Sequence, residues 1–126
     1  MGQLQAGTGR TDVTPGLGCH IAGHFEDRIA EHIRDPLYVK ALALSDGETT
    51  IGLITADLIY VSSQITEEAK NMIAARTGVP PHCVMISATH THTGPAVRAV
   101  LGTPAEPEYA ETLPKKIADA FIMAYN

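Results

Sequence analysis

Tryptophan is absent, and aromatic residues make up only 5% of the 126 residues. A core must therefore be assembled from Ile, Leu, Val, Ala and Met. Cysteine is scarce too: Cys19 and Cys83 do not make a disulfide framework. There is no CxxC pair, which excludes a ribbon-type thiolate zinc site, and each cysteine reads as a small buried hydrophobe. No apolar run approaches the ~18 residues of a membrane span; the longest, residues 51–61, is interrupted by Thr55 and Asp57. Positive charge is not in excess, with 9 Lys and Arg against 14 Asp and Glu and a net charge of −5. That balance excludes a dedicated nucleic-acid binder and a polybasic membrane-surface module. The opening Met1-Gly2-Gln3-Leu4-Gln5 lacks the basic and apolar regions of a signal peptide. A cytoplasmic location is expected, or a secreted or periplasmic one if a leader has been removed. Internal repeats, low-complexity tracts and linkers are also missing.

What is present is ordinary globular material. Apolar residues at 44% and charged residues at 18% exclude a mainly disordered chain, and the length suits one domain. Residues 4–13 read as a first strand, weakened by Gly7 and Gly9. Residues 14–35 have no periodicity and read as one long loop, of a length that in a compact domain is usually functional or disordered. It is not a phosphate loop, because no Gly-Lys-Ser/Thr follows.

Residues 36–58 read as a β-hairpin: a strand to Ser45, a two-residue Asp46-Gly47 turn of type I′, and a strand from Thr49 to Leu58. Ser62 or Ser63 is placed to cap the next helix. Ile65, Ala69, Met72 and Ile73 form one apolar stripe, Gly78 sits where a C′ glycine belongs, and Pro80-Pro81 prevents continuation. Residues 83–89 read as a further strand. Strand, helix and strand over residues 49–89 make a βαβ unit with parallel strands and a right-handed crossover. The final segment carries a second stripe of Leu113, Ile117, Ala120, Phe121 and Ala124. Pro114 is expected in its first turn, with Thr112 as a cap, because an interior proline would kink it. The expected fold class is α/β with a mixed sheet.

In such sheets ligands bind beyond the carboxyl ends of parallel strands. Two polar clusters close those ends, Thr55-Ala56-Asp57 and Thr89-His90-Thr91-His92-Thr93-Gly94-Pro95. Residues i and i+2 of an extended chain share a face, so the His90 and His92 imidazoles are expected to reach one small site. Neutral imidazole is a common metal ligand that suits zinc. Two readings stay open: a metal pair, or two polar histidines at a loop start. Asp57 either orients a histidine or substrate, or simply bonds the next turn. Arg10 and Asp12 are expected to pair or build a turn. His20, His24 and His32 read as solvated loop residues, His82 as a turn residue and Lys40 as solvated.

The series Gly9-Arg10-Thr11-Asp12-Val13-Thr14-Pro15, Leu17-Gly18-Cys19, Ala22-Gly23, Asp35-Pro36-Leu37-Tyr38-Val39-Lys40-Ala41-Leu42-Ala43-Leu44, Thr55-Ala56-Asp57-Leu58 and Ile86-Ser87-Ala88-Thr89-His90-Thr91-His92-Thr93-Gly94-Pro95 resembles the amino-terminal part of the neutral/alkaline (non-lysosomal) ceramidase family. The resemblance runs along nearly the whole chain, and the His-Thr-His-Thr-Gly-Pro block is its most specific piece. It implies a zinc hydrolase that cleaves the amide of ceramide, giving sphingosine and a fatty acid. It implies His90 as a zinc ligand and His92 at the catalytic centre, with a lipid-like amide as substrate. The other family ligands, a histidine, a glutamate and a tyrosine, lie further along a longer chain. His24 stands where an aromatic residue is expected after Ala22-Gly23.

On this reading His90 holds the metal, His92 assists proton transfer and Asp57 supports them. The chain offers one convincing ligand, two if His92 swings in, so it is expected to bind zinc weakly and be inactive by itself, or to be a piece of a larger catalytic domain. A second copy is an alternative source of ligands. The competing functions are a non-catalytic ceramidase-like domain for binding or assembly, and a metal-dependent hydrolase of another substrate class.

Overall fold

The computed structural model describes residues 2–126. Strands β1 (Gln5–Asp12), β4 (Tyr38–Ser45), β5 (Thr50–Ala56) and β6 (Val84–Ala88) form a four-stranded sheet in the order β1-β4-β5-β6. β1 pairs antiparallel with β4, β4 antiparallel with β5, and β5 parallel with β6. Helix α1 (Ser63–Thr77) connects the two parallel strands, and α2 (Pro107–Tyr125) ends the chain. The mixed α/β sheet, the hairpin, the βαβ unit and the terminal helix are all as the sequence patterning implies. Among the described residues no helix is long and apolar enough to cross a membrane.

Both helices contribute to one core on one face of the sheet. Alternation puts Val39, Ala41, Ala43, Ile54, Ala56 and Val84 inward, where they meet Ile65, Ala69 and Ile73 of α1 and Leu113, Ile117 and Phe121 of α2. Each fully buried Leu, Ile or Phe side chain contributes about 1.5–3 kcal/mol relative to exposure. The low aromatic content is matched by small sheet residues. Gly9 and Gly52 let α2 approach so closely that an added Cβ would lie 2.3 Å from the Ala120 carbonyl oxygen and 2.5 Å from a Phe121 ring carbon, respectively. Among the described residues the opposite face carries no helix, and there Leu53 and Met85 are 41% and 63% exposed.

Capping of α1 follows expectation: the Ser62 hydroxyl accepts from the Ile65 amide at 3.3 Å, and Gly78 closes the helix at φ 79°. Three local details differ from it. The hairpin loop is four residues long, since Ser45 pairs with Thr50. Only Gly47 there has positive φ, 97°. The Asp46 carboxylate accepts from the Glu48 and Thr49 amides at 2.9 and 2.8 Å, so a side chain closes the turn instead of a left-handed Asp46. In α2 the helix begins earlier than expected. Pro107 occupies the first turn and Pro114 lies inside the helix, buried in the core. Packing of the apolar stripe outweighs the lost amide donor, and the Thr112 hydroxyl donates to the Tyr109 carbonyl at 2.7 Å instead of capping.

The third difference concerns residues 14–35, read as a loop without structure. They contain a short antiparallel pair, β2 (His20–Ile21) with β3 (Arg28–Ile29), registered His20 with Ile29 and Ile21 with Arg28. The Ala22 amide donates to the Gly94 carbonyl at 2.8 Å, and the His20 amide donates to Glu106 Oε1 at 2.7 Å. The segment is therefore tied over the carboxyl end of the parallel strands.

Candidate functional site

The site grows from the carboxyl ends of β5 and β6. β6 stops at Ala88, one residue short of the expected strand. Past it, the Thr89 amide donates to the Ala56 carbonyl at 2.9 Å. The His90 and Thr91 amides both donate to the Leu58 carbonyl, at 3.0 and 3.2 Å. His90 has φ 65°, in the left-handed region, where histidine is tolerated better than most non-glycine residues. The chain is thus not extended through the histidines, and shared strand alternation is not what brings them together. A left-handed turn does so: the His90 and His92 ring centroids are 4.8 Å apart with the planes at 74°, edge to face.

His90 Nδ1 lies 2.8 Å from the Ile59 carbonyl oxygen. A carbonyl can only accept, so Nδ1 is the donor here, and in the neutral ring Nε2 is the nitrogen left with the lone pair. This is the tautomer-fixing arrangement found behind metal-bound histidines. The His24 ring, on the tied-down segment, stands 6.2 Å from His92 at 65°. It is exposed, and it is the third imidazole at this end of the sheet.

Among the described residues Asp57 is hydrogen-bonded to no histidine. Its Oδ2 accepts from the Tyr38 amide at 2.9 Å and its Oδ1 from the Thr89 hydroxyl at 3.1 Å. The carboxylate thereby braces the start of β4 against the residue that precedes His90. His20 Nδ1 donates to Asp27 at 2.7 Å. Asp12 accepts from the Thr14 amide at 2.8 Å rather than pairing with Arg10, whose guanidinium sits 4.6 Å from the Tyr38 ring centroid. The Thr14 hydrogen bonds hold the Asp12 carboxyl below the usual carboxylate range. Cys19 and Cys83 are half-buried rather than the buried hydrophobes expected, and burial raises the Cys19 thiol above its ordinary value. Burial likewise raises the Tyr109 hydroxyl, which donates to the Val13 carbonyl at 2.6 Å.

Two residues of the site carry no sequence signal of their own. Gly23 has φ 115°, and an added Cβ would lie 2.5 Å from His92 Cγ, so its backbone lies directly against that ring. Arg28 donates through Nη2 to the Ala22 carbonyl at 3.0 Å and the His92 carbonyl at 2.6 Å. Gly23 was visible only as part of a resembling pair, and Arg28 not at all.

No family model matches the sequence, and no curated protein does. Solved structures do. A neutral ceramidase from Pseudomonas aeruginosa superposes with a TM-score of 0.79 at 18% identity, over 96% of this chain. A ceramidase complexed with C2 gives the same TM-score, identity and coverage. The fold is that of a ceramidase segment. The chain spans 21% of the length of those ceramidase chains.

A zinc ion suits part of the donor set. Two imidazoles on one tetrahedral zinc, with Zn–N near 2.1 Å, place their ring centroids about 5 Å apart; the 4.8 Å between His90 and His92 allows this and is equally the ordinary edge-to-face spacing of an aromatic pair. Among the described residues His90 Nε2 makes no hydrogen bond, its Nδ1 being the nitrogen that meets Ile59. The set is incomplete, however: among the described residues no group of three or more His, Cys, Asp or Glu is arranged to hold a metal.

Proposed function

We propose that this chain supplies one wall of the active site of a zinc-dependent amidohydrolase. The bond cleaved is the amide of ceramide or a related N-acyl lipid, and the products are a sphingoid base and a fatty acid. The observation that carries the reading is the His90–His92 pair, with His90 tautomer-fixed by Ile59, at the carboxyl end of parallel strands in a ceramidase-like fold.

An amide is a poor electrophile and neutral water a poor nucleophile. Zinc, when bound, lowers the pKa of its water towards ~7 and polarises the carbonyl. His90 would hold it through Nε2. His92, against Gly23, takes or returns the proton that must reach the departing amine. Asp57 acts through Thr89, keeping the left-handed turn in register, and is a positioning residue. The remaining protein ligands come from outside this segment, in a larger catalytic domain.

The test is a calorimetric zinc titration of the chain with its His90→Ala and His92→Ala variants. One ligand, joined by His92 only if its ring swings in, predicts weak, one-to-one binding, abolished in His90→Ala and reduced in His92→Ala. Undiminished binding in His90→Ala, or none in the wild type, overturns the reading in favour of a ceramidase-like binding or assembly domain. For the longer protein, hydrolysis of N-acyl sphingoid amides in preference to other amides and esters is the expected specificity.

A further inference from the structure

We propose that Arg28 is a positioning residue: its guanidinium clamps the Gly23 segment to the His90–His92 segment and thereby fixes the attitude of the His92 ring. The proposal rests on His92 being a working group of the site. Its basis is a single nitrogen with two acceptors far apart in sequence. Nη2 donates to the Ala22 carbonyl at 3.0 Å and to the His92 carbonyl at 2.6 Å. Ala22 immediately precedes Gly23, whose backbone lies against the His92 ring. The clamp therefore brackets that contact on both sides.

Other ties reach the same segment, since the Ala22 side chain is buried against Ile59 and Ala96, but none of them engages the His92 carbonyl as Arg28 does. The β2–β3 pair that carries Arg28 has only two registered residue pairs, too few for a ribbon to stand alone. The Ala22 amide bond to Gly94 is one neutral hydrogen bond. Hydrogen bonds from a charged donor are about twice as strong as neutral ones. Arg28 is not engaged by a carboxylate among the described residues, since neighbouring Asp27 is taken by His20. Its Nε is buried with no acceptor, so the polar grip is through Nη2. A lysine ammonium, with three donors on one nitrogen, can reproduce a one-nitrogen grip on two carbonyls; a methionine can fill the same space but cannot.

The experiment compares the wild-type chain with Arg28→Met and Arg28→Lys, using amide hydrogen exchange and the His92 ring resonances. In Arg28→Met the Ala22 amide is expected to exchange roughly tenfold faster or more, and the His92 ring signals to shift or broaden. The amides of the β4–β5 ladder should stay as protected as in the wild type, which shows that the fold is intact. Arg28→Lys should recover Ala22 protection and the His92 signals at least in part. Wild-type behaviour of Ala22 and His92 in Arg28→Met overturns the proposal, as does an Arg28→Lys variant as perturbed as Arg28→Met. None of these readouts needs a metal, so a failed zinc titration of the wild type sinks the hydrolase reading and leaves this result standing.

Discussion

Gly23 and His92 are in backbone-to-ring contact: a methyl group on Gly23 would sit 2.5 Å from His92 Cγ and 2.7 Å from Nδ1. With φ at 115°, Gly23 is also in a conformation that L side chains rarely adopt. Gly23→Ala is therefore expected to lower stability by about 1–3 kcal/mol from backbone strain and to displace the His92 ring. Gly16, whose added Cβ would meet nothing within 4 Å, provides the control. Denaturant midpoints and His92 ring resonances should change in Gly23→Ala and not in Gly16→Ala. Equal midpoints for the two variants would mean that the loop yields freely and does not position His92.

Asp57 bonds two groups across the edge of the site, the Tyr38 amide and the Thr89 hydroxyl. Asp57→Ala removes the acceptor from both and is expected to cost about 1–3 kcal/mol, mainly through the stranded Tyr38 amide. Asp57→Asn keeps one acceptor oxygen and should cost less. A double-mutant cycle with Thr89→Val isolates the share that reaches the histidine turn. Zinc affinity should fall with the Asp57–Thr89 coupling. If Asp57→Ala lowers stability and leaves zinc affinity untouched, the carboxylate braces β4 only.

The core makes a prediction of its own. An added Cβ on Gly52 would lie 2.5 Å from Phe121 Cε1, and Phe121 is fully buried. Gly52→Ala overpacks this point and is expected to destabilise by about 1–3 kcal/mol. Phe121→Leu removes the obstructing ring edge at the price of a cavity. The double variant should therefore melt above the sum of the two single losses. Additive losses would show that α2 shifts as a body to make room.

The frame was legible where periodicity was strong. The stripe Ile65, Ala69 and Ile73, with Ser62 before it and Gly78 after it, specifies α1 through capping and burial, and both act within a few residues. The β4–β5 hairpin was legible from its Asp46-Gly47 turn rather than from alternation, since Ile51 and Leu53 make β5 apolar on its outward face too. The pair β2 and β3 was not, because a two-residue strand has no period and is held by partners far along the chain, such as Gly94 and Glu106. Pro114 was misplaced for a related reason: local propensity forbids it inside a helix, whereas tertiary packing decides. At the site, the residue types His90 and His92 were legible, but the left-handed turn that joins their rings was not. Arg28 acts on backbone carbonyls, which look alike at every position, so no pattern of side chains could reveal it.

Acid should weaken the hairpin before it weakens the core. The Thr49 and Glu48 amides, donating to Asp46, hold its carboxyl below the ordinary aspartate range near 4. A folded-state pKa lower than the unfolded one means that the carboxylate's contribution is fully present above the unfolded value and is lost as pH falls through the folded one. Asp46→Asn retains an acceptor but has no proton to bind, so its melting temperature should fall less than that of the wild type between pH 5 and 2. Asp12, lowered in the same direction by its hydrogen bonds to Thr14, contributes a second share, and the double variant Asp12→Asn, Asp46→Asn should be flatter still. Thermal melts at matched ionic strength read the slopes directly. Parallel curves for the wild type and Asp46→Asn would show that the turn is already open in the native ensemble, with its carboxylate free.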